Sequence, residues 1–254
     1  MNLPRNAFKE ALAGGRIQLG TWLMSAAAST AEAMGCAGFD FVVVDMEHVP
    51  IDTPQLVDML RVVAGTPASA VTRVPWNDAV MVKRALDAGA QTLMLPFVQD
   101  EHEAARAVAA TRYPPQGVRG FAAVHRASRY GNVTDYPKRA AEELCVVVQI
   151  ETASALARLA EIAAVPGVDS LFVGPGDLSA SLGHLGDIGH AEVQAELAHA
   201  AAEAKRLGKP CGIIGGNPDM VQRFLDYGYT WVAVGSDMSM MVGRAREWLG
   251  KLRG

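Results

Sequence analysis

Lysine is scarce in this chain: Lys9, Lys83, Lys138, Lys205, Lys209 and Lys251 are the six among 254 residues, and none falls at the carboxyl end of a run that reads as a β-strand. A Schiff-base mechanism needs an amine in its pocket, so that chemistry is excluded. Cysteine is scarcer still. Cys36, Cys145 and Cys211 are odd in number and lack metal-type spacing, which removes both a disulfide framework and a thiolate metal site and predicts reduced thiols. No apolar run reaches the roughly 20 residues that cross a bilayer. The opening "MNLPRNAFKEALAGG" lacks the apolar stretch of a signal peptide, so a cytoplasmic protein is expected. Net charge is −4 and the basic residues are scattered, which leaves no electrostatic footprint for a nucleic acid or an anionic membrane. Also missing is a G-x-G-x-x-G turn after the first strand, and with it the main support for a dinucleotide-binding open sheet.

What is present is a sustained rhythm of short β-rich runs and longer Ala-rich helical patterns, the signature of parallel βα units. The runs are "IQLGTWL", "FDFVVVD", "SAVTRV", "TLMLP", "LCVVVQIE", "SLFVG", "PCGII" and "TWVAVG", and helical patterns cover 53–64, 78–88, 101–111, 152–164, 190–207, 218–227 and 237–252. Asp78, Thr152 and Asp237 read as N-caps, and Gly89, Gly208 and Gly228 follow helix ends. Eight such units predict an α/β fold, a (β/α)8 TIM barrel with an N-terminal helix, as one domain over 1–254. The irregular stretch 112–137 exceeds ordinary loop length and reads as a functional loop or a subunit contact.

Chemistry in such barrels sits at the carboxyl ends of the strands. The second strand runs into "DMEH" (Asp45, Glu47, His48), the third carries Arg73, the fifth ends in Gln149 and Glu151, and the sixth runs into "GPGDLS" with Asp177. Charge at the end of an apolar strand is costly unless something takes it up. Alternation puts Val147, Gln149 and Glu151 on one face of the fifth strand and Val148 and Ile150 on the other, so the amide and the carboxylate face the barrel axis. Glu151 and Asp177 then converge on one mouth, a setting for Mg²⁺ or a similar hard divalent ion. Taken singly each residue has a plainer reading: Glu151 and Asp177 as helix caps, Arg73 as a surface ion-pair partner, His48 as a packed histidine. Four strand ends, the second, third, fifth and sixth, each with a different useful group, favour a site. Glycine clusters "GIIGGN" and "VGSD" offer a competing phosphate site, but no cation accompanies them.

The ordered set "VVVDMEH", "TRVPWND", "LDAGAQTLMLPFV", "GVRG", "VVVQIET", "LFVGPGDLSASLG" and "WVAVGSD" resembles the HpcH/HpaI aldolase family, the metal-dependent class II pyruvate aldolases, over nearly the whole chain. The resemblance implies a barrel that is usually hexameric, with one divalent ion per subunit (Mg²⁺, Mn²⁺ or Co²⁺) held by Glu151 and Asp177. It implies pyruvate bound with help from Gln149 and the backbone at Gly176 and Asp177. By the same resemblance His48 and Asp45 match the catalytic histidine and its neighbouring carboxylate, and Arg73 the arginine facing the developing enolate. Asp87 matches an aspartate that tunes the histidine across a subunit boundary. The expected reaction is reversible cleavage of a 4-hydroxy-2-oxo acid to pyruvate and an aldehyde, with Ile214 in the pocket for the aldehyde chain. Met46 stands where many members have Gly, and Gly176 where many have Ala. An acyl-CoA lyase of the citramalyl-CoA or malyl-CoA type, and a non-catalytic small-acid-binding barrel, are the alternatives.

Overall fold

A computed structural model describes residues 1–254. The chain opens with α1 (Ala7–Ala13) and continues through β1 (Gln18–Leu23), α2 (Ala28–Gly35), β2 (Phe41–Asp45), α3 (Thr53–Val63), β3 (Ser69–Arg73), α4 (Ala79–Asp87), β4 (Thr92–Leu95) and α5 (Glu101–Thr111). It goes on through α6 (Tyr136–Glu143), β5 (Cys145–Ile150), α7 (Ala153–Ala157), α8 (Leu159–Ala164), β6 (Ser170–Val173), α9 (Pro175–Ser181), α10 (Ala191–Arg206), β7 (Cys211–Gly215), α11 (Pro218–Tyr227), β8 (Trp231–Ser236) and α12 (Asp237–Arg253). All eight strands pair in parallel with their sequence neighbours, and β1 pairs with β8, so the barrel closes. The predicted (β/α)8 architecture and its N-terminal helix are what forms.

Alternation along the strands sorts two cores. Val42, Val44, Val146, Val148 and Ile150 point outward into the layer shared with the helices. Phe41, Val43, Val71, Met94, Cys145, Val147, Phe172 and Trp231 fill the barrel, joined by Phe8 and Leu12 from α1. Phe8 packs edge-on against Phe41 and Trp231 with centroids 5.3 Å away in each case, so α1 plugs the amino end with aromatic side chains. Gly20 and Gly212 make this packing possible, because a β-carbon at either would run into the ring of Phe41 or Trp231.

The caps at Asp78 and Thr152 form as read, and Gly228 closes α11 in the left-handed conformation. Asp237 does not cap α12. Ser236 does, while the buried Asp237 carboxylate accepts from the backbone N–H groups of Met24 (2.7 Å) and Ser25 (3.2 Å) and ties the β1–α2 turn to β8. The pattern at 152–164 is two helices, broken at Arg158, whose guanidinium bonds Glu161 at 2.7 Å and Glu101 at 2.6 Å. The stretch after α5 stays irregular up to Asp135 and is anchored by Arg119, buried against the rings of Tyr113 and Tyr136 and bonded to Asp87. No helix is long and apolar enough to cross a membrane.

The outer layer is incomplete at one place. α12 buries only Asp237, leaving Met241, Val242, Trp248, Leu249 and Leu252 in solvent. Leu19, an outward residue of β1, is 41% exposed where an eighth helix would cover it.

Candidate active site at the barrel mouth

The strand register places Asp45 directly opposite Arg73 on neighbouring strands. The pair is fully formed: Arg73 Nε donates to Asp45 Oδ1 at 2.8 Å and Nη2 to Oδ2 at 2.6 Å, with Asp45 wholly buried. Asp45 Oδ1 also accepts from the Glu47 N–H at 3.0 Å, which starts the turn that carries Glu47 and His48. Arg73 lies over the Trp22 ring, 5.3 Å from its centroid, and its Nη1 sits 3.0 Å from Glu47 Oε2. Two-point pairing fixes the guanidinium plane, and the ring beneath holds it against the barrel interior. Burial opposes the charge of Arg73, but Asp45, Glu47 and Glu151 outweigh it and raise the pKa further.

Glu151 is 2% exposed. Its Oε1 accepts the backbone N–H of Phe97 at 2.7 Å and its Oε2 the Gln149 side-chain amide at 2.9 Å. Gly174 leaves room for it, since a β-carbon there would come 2.5 Å from Oε2. Desolvation, with Asp177 and Glu47 adding negative charge, pushes the Glu151 carboxyl up to about 7, against the opposing pull of the Phe97 N–H and Arg73. Glu47 is also raised, first by burial, with Asp45 and Asp177 adding to it against Arg73 and His48. Four carboxylates, Asp45, Glu47, Glu151 and Asp177, thus crowd one mouth faced by a single arginine. Asp177 projects into solvent from the first turn of α9.

Residues this acidic, with an orphaned oxygen beside them, fit a hard cation. Gln149 Oε1 is buried without a partner, and so is Glu47 Oε2 apart from its poorly aligned ionic contact with Arg73. Glu151 and Asp177 carry oxygens of the kind such an ion takes. Elsewhere, His184, His190 and Glu192 have ligand atoms within 4.8 Å of one another, which the mouth carboxylates do not. The two imidazoles, however, are stacked face to face with centroids 3.5 Å apart, so their in-plane lone pairs cannot aim at one ion.

The structure brings Asp45, Arg73, Gln149, Glu151 and Asp177 to one end of the barrel. His48 lies on the same rim, exposed, and the only carboxylate within 4.0 Å of its ring nitrogens is Glu47, at 3.8 Å. Asp45 therefore orients Arg73, not His48. Asp87 ends α4, at the opposite end of the barrel, with Arg119 Nη2 at 2.7 Å and His125 Nε2 at 3.9 Å, and makes no contact with His48 of its own chain. Ile214 is half-buried against the interior core near the mouth, Met46 packs outward, and a β-carbon at Gly176 would meet nothing within 4 Å. No lysine reaches the mouth: Lys9 and Lys209 bond carbonyls of Leu144 and Val168, at the amino ends of β5 and β6. At "GIIGGN" and "VGSD" the Asn217 and Ser236 side chains take the first helix N–H groups. A cleft of about 390 Å³ lined by Arg5, Gln91, Arg126 and Arg129 opens at the amino end and contains none of the mouth carboxylates.

Sequence reading missed Phe97, Trp22 and Gly174. A glycine interrupting "FVGPG" signals a close approach and could have been read so; nothing in the residue type marks Phe97.

The carboxyl end of this closed parallel barrel thus gathers acids around one fixed arginine. The profile of the HpcH/HpaI aldolase/citrate lyase family matches residues 18–243. The chain belongs to that family. It is 53% identical over 236 residues to the 2-dehydro-3,6-dideoxy-6-sulfogluconate aldolase of Pseudomonas putida, covering 93% of this chain and 92% of that one. It is 45% identical to the hydroxypyruvate/pyruvate aldolase of Sagittula stellata, covering 98% of this chain and all (100%) of that one. An HpcH/HpaI aldolase/citrate lyase family protein from Burkholderia cenocepacia superposes with a TM-score of 0.95 at 41% identity, over 98% of this chain and 100% of the other.

Proposed function

We propose that the protein is a class II aldolase that cleaves a 4-hydroxy-2-oxo acid to pyruvate and an aldehyde, and runs the reverse addition, with one divalent ion (Mg²⁺, Mn²⁺ or Co²⁺) per subunit. The observation that carries this is Glu151: a buried carboxylate with two hydrogen bonds only, crowded by Asp177 and Glu47, beside an orphaned amide oxygen and with no lysine in reach. Glu151 and Asp177 would hold the ion, which when bound supplies a Lewis acid for the 2-oxo group. Arg73, immobilised by Asp45, presents fixed positive charge to the oxygen on which the enolate develops. His48, free at the rim, takes the proton from the C4 hydroxyl as the C3–C4 bond breaks, and the same proton balance returns it at C3 of pyruvate. Gln149 and the backbone at Gly176 and Asp177 orient the acid, and Ile214 borders the space for the aldehyde chain.

Two relatives named for aldol chemistry on a sulfosugar acid and on hydroxypyruvate or pyruvate support an oxo-acid nucleophile with a short polar aldehyde, such as succinate semialdehyde, lactaldehyde or tartronate semialdehyde. A homo-oligomer, a hexamer by family resemblance, is supported by the uncovered apolar side of α12 and the bared Leu19. Three free thiols fit a reducing cytoplasm. The test is a coupled pyruvate-release assay over a panel of 4-hydroxy-2-oxo acids, with and without chelator. Release that requires the ion and disappears in Glu151→Ala and Asp177→Ala is expected; full activity in either variant, or in chelated protein, overturns the assignment.

A further inference from the structure

We propose that the turn after β4, residues 97–99, is a positioning element for the Glu151 carboxylate, with Phe97 as its working residue. This rests on Glu151 being an ion ligand. Phe97 sits at φ +52°, a left-handed conformation that side chains with a β-carbon rarely adopt. That conformation lets its N–H meet Glu151 Oε1 at 2.7 Å.

Two sets of contacts hold the turn there. The Phe97 ring stacks on Trp76, with centroids 5.7 Å apart and planes 27° apart. Gln99 bridges the turn to the segment after Glu151: its Nε2 donates to the Phe97 carbonyl at 3.3 Å, and its Oε1 accepts from Thr152 Oγ1 at 2.7 Å and Ser154 Oγ at 3.0 Å. The turn after β4 is thus laced to the end of β5, which carries the candidate ligand. Trp76 lies just past Arg73, on the turn after β3, and is 56% exposed. Gln149 grips the other oxygen of Glu151. With both oxygens restrained, the lone pairs left over point in fixed directions, as partners behind a metal ligand are expected to arrange.

Backbone geometry supplies a test that packing alone would not move. Alanine at 97 keeps the cost of positive φ and loses the ring that holds it, so the turn relaxes and the N–H swings off Glu151. Glycine loses the same ring but occupies positive φ freely. Isothermal titration of the purified protein with Mn²⁺ reads the affinity without turnover. Phe97→Ala is expected to weaken Mn²⁺ binding about 10-fold, the lower end of what loss of such a partner costs, and Phe97→Gly to recover most of it. Trp76→Ala and Gln99→Leu should each weaken binding by a smaller factor. Wild-type affinity in Phe97→Ala overturns the proposal, as does Phe97→Gly binding as weakly as Phe97→Ala. Should Phe97→Ala fail to fold, wild-type affinity in both Trp76→Ala and Gln99→Leu overturns it. Absence of binding to the wild type, or unchanged binding by Glu151→Ala, marks failure of the ligand assignment itself, and the positioning role falls with it.

Discussion

The two ends of this barrel are built from the same strands by the same alternation, yet they are opposites. Following the inward positions of β2 from one end to the other gives Phe41, Val43 and Asp45; β5 gives Cys145, Val147 and Gln149, then Glu151 just beyond it. The amino end is closed by interlocked aromatic rings, whose energy comes from area removed from water. Inside the barrel, the carboxyl end concentrates carboxylates against one arginine and leaves Gln149 Oε1 without a partner. Further unpartnered atoms, on Tyr113, Arg119 and His125, lie around Asp87 in the loop outside the amino end. Within the barrel interior, packing is concentrated at one end and buried charge at the other.

Substitutions at the two ends should therefore separate rate from stability. His48→Asn is expected to lower turnover by roughly 10²–10⁴-fold, the usual contribution of a general base, while Mn²⁺ affinity and unfolding free energy stay at wild-type values. Steady-state kinetics beside denaturant melts check this, and loss of the ion in this variant would argue for a structural histidine. Phe8→Ala is the mirror image: about 3–5 kcal/mol of stability lost for a fully buried aromatic, with kcat unchanged in the folded fraction. A large kcat defect there would erase the distinction between the ends.

Asp45→Ala blurs the boundary in a defined way. It removes the two-point partner of a buried guanidinium and leaves Glu47 as its nearest carboxylate, which costs at most about 3–5 kcal/mol of stability. It also frees Arg73 to turn, so melts and kinetics should both suffer. A smaller effect is a pH dependence. The Glu151 carboxyl rises from its ordinary 4.5 to about 7 in the fold, so between those values the folded state keeps a proton that the unfolded chain gives up. Stability of the ion-free protein accordingly falls as pH climbs through that window and levels off above it, by at most about 3 kcal/mol. Glu151→Gln removes this dependence, so the variant should gain on the wild type from about pH 5 to about pH 8 in ion-free melts; parallel curves would contradict the buried-carboxylate description. Cation affinity of the wild type should climb over the same window, because the ligand must lose its proton.

Much of this contrast was legible in the residues. Period-two alternation placed Gln149 and Glu151 on the axis, and strand ends located Asp45, Arg73 and Asp177, because those features are local. What escaped was non-local or conformational. Pairing of Asp45 with Arg73, in place of His48, follows from strand register, which no single segment reveals. Asp87 ends its helix at the far end of the barrel because α4 runs antiparallel to the strands, a consequence of closure. The break at Arg158 coincides with a contact to acids at the start of α5, which are distant in sequence, and the left-handed Phe97 is dictated by its surroundings. α12 reads as an ordinary last barrel helix; that it buries only Asp237 is visible only once the other helices are in place.

Anomalous diffraction at the manganese edge, from crystals soaked in Mn²⁺ and pyruvate, bears most directly on the mouth. One peak per subunit between the carboxylates of Glu151 and Asp177, at oxygen-ligand distance, is the expected result. A peak at His184, His190 and Glu192 with none at the mouth, or those two acids turned apart around empty density, would contradict it.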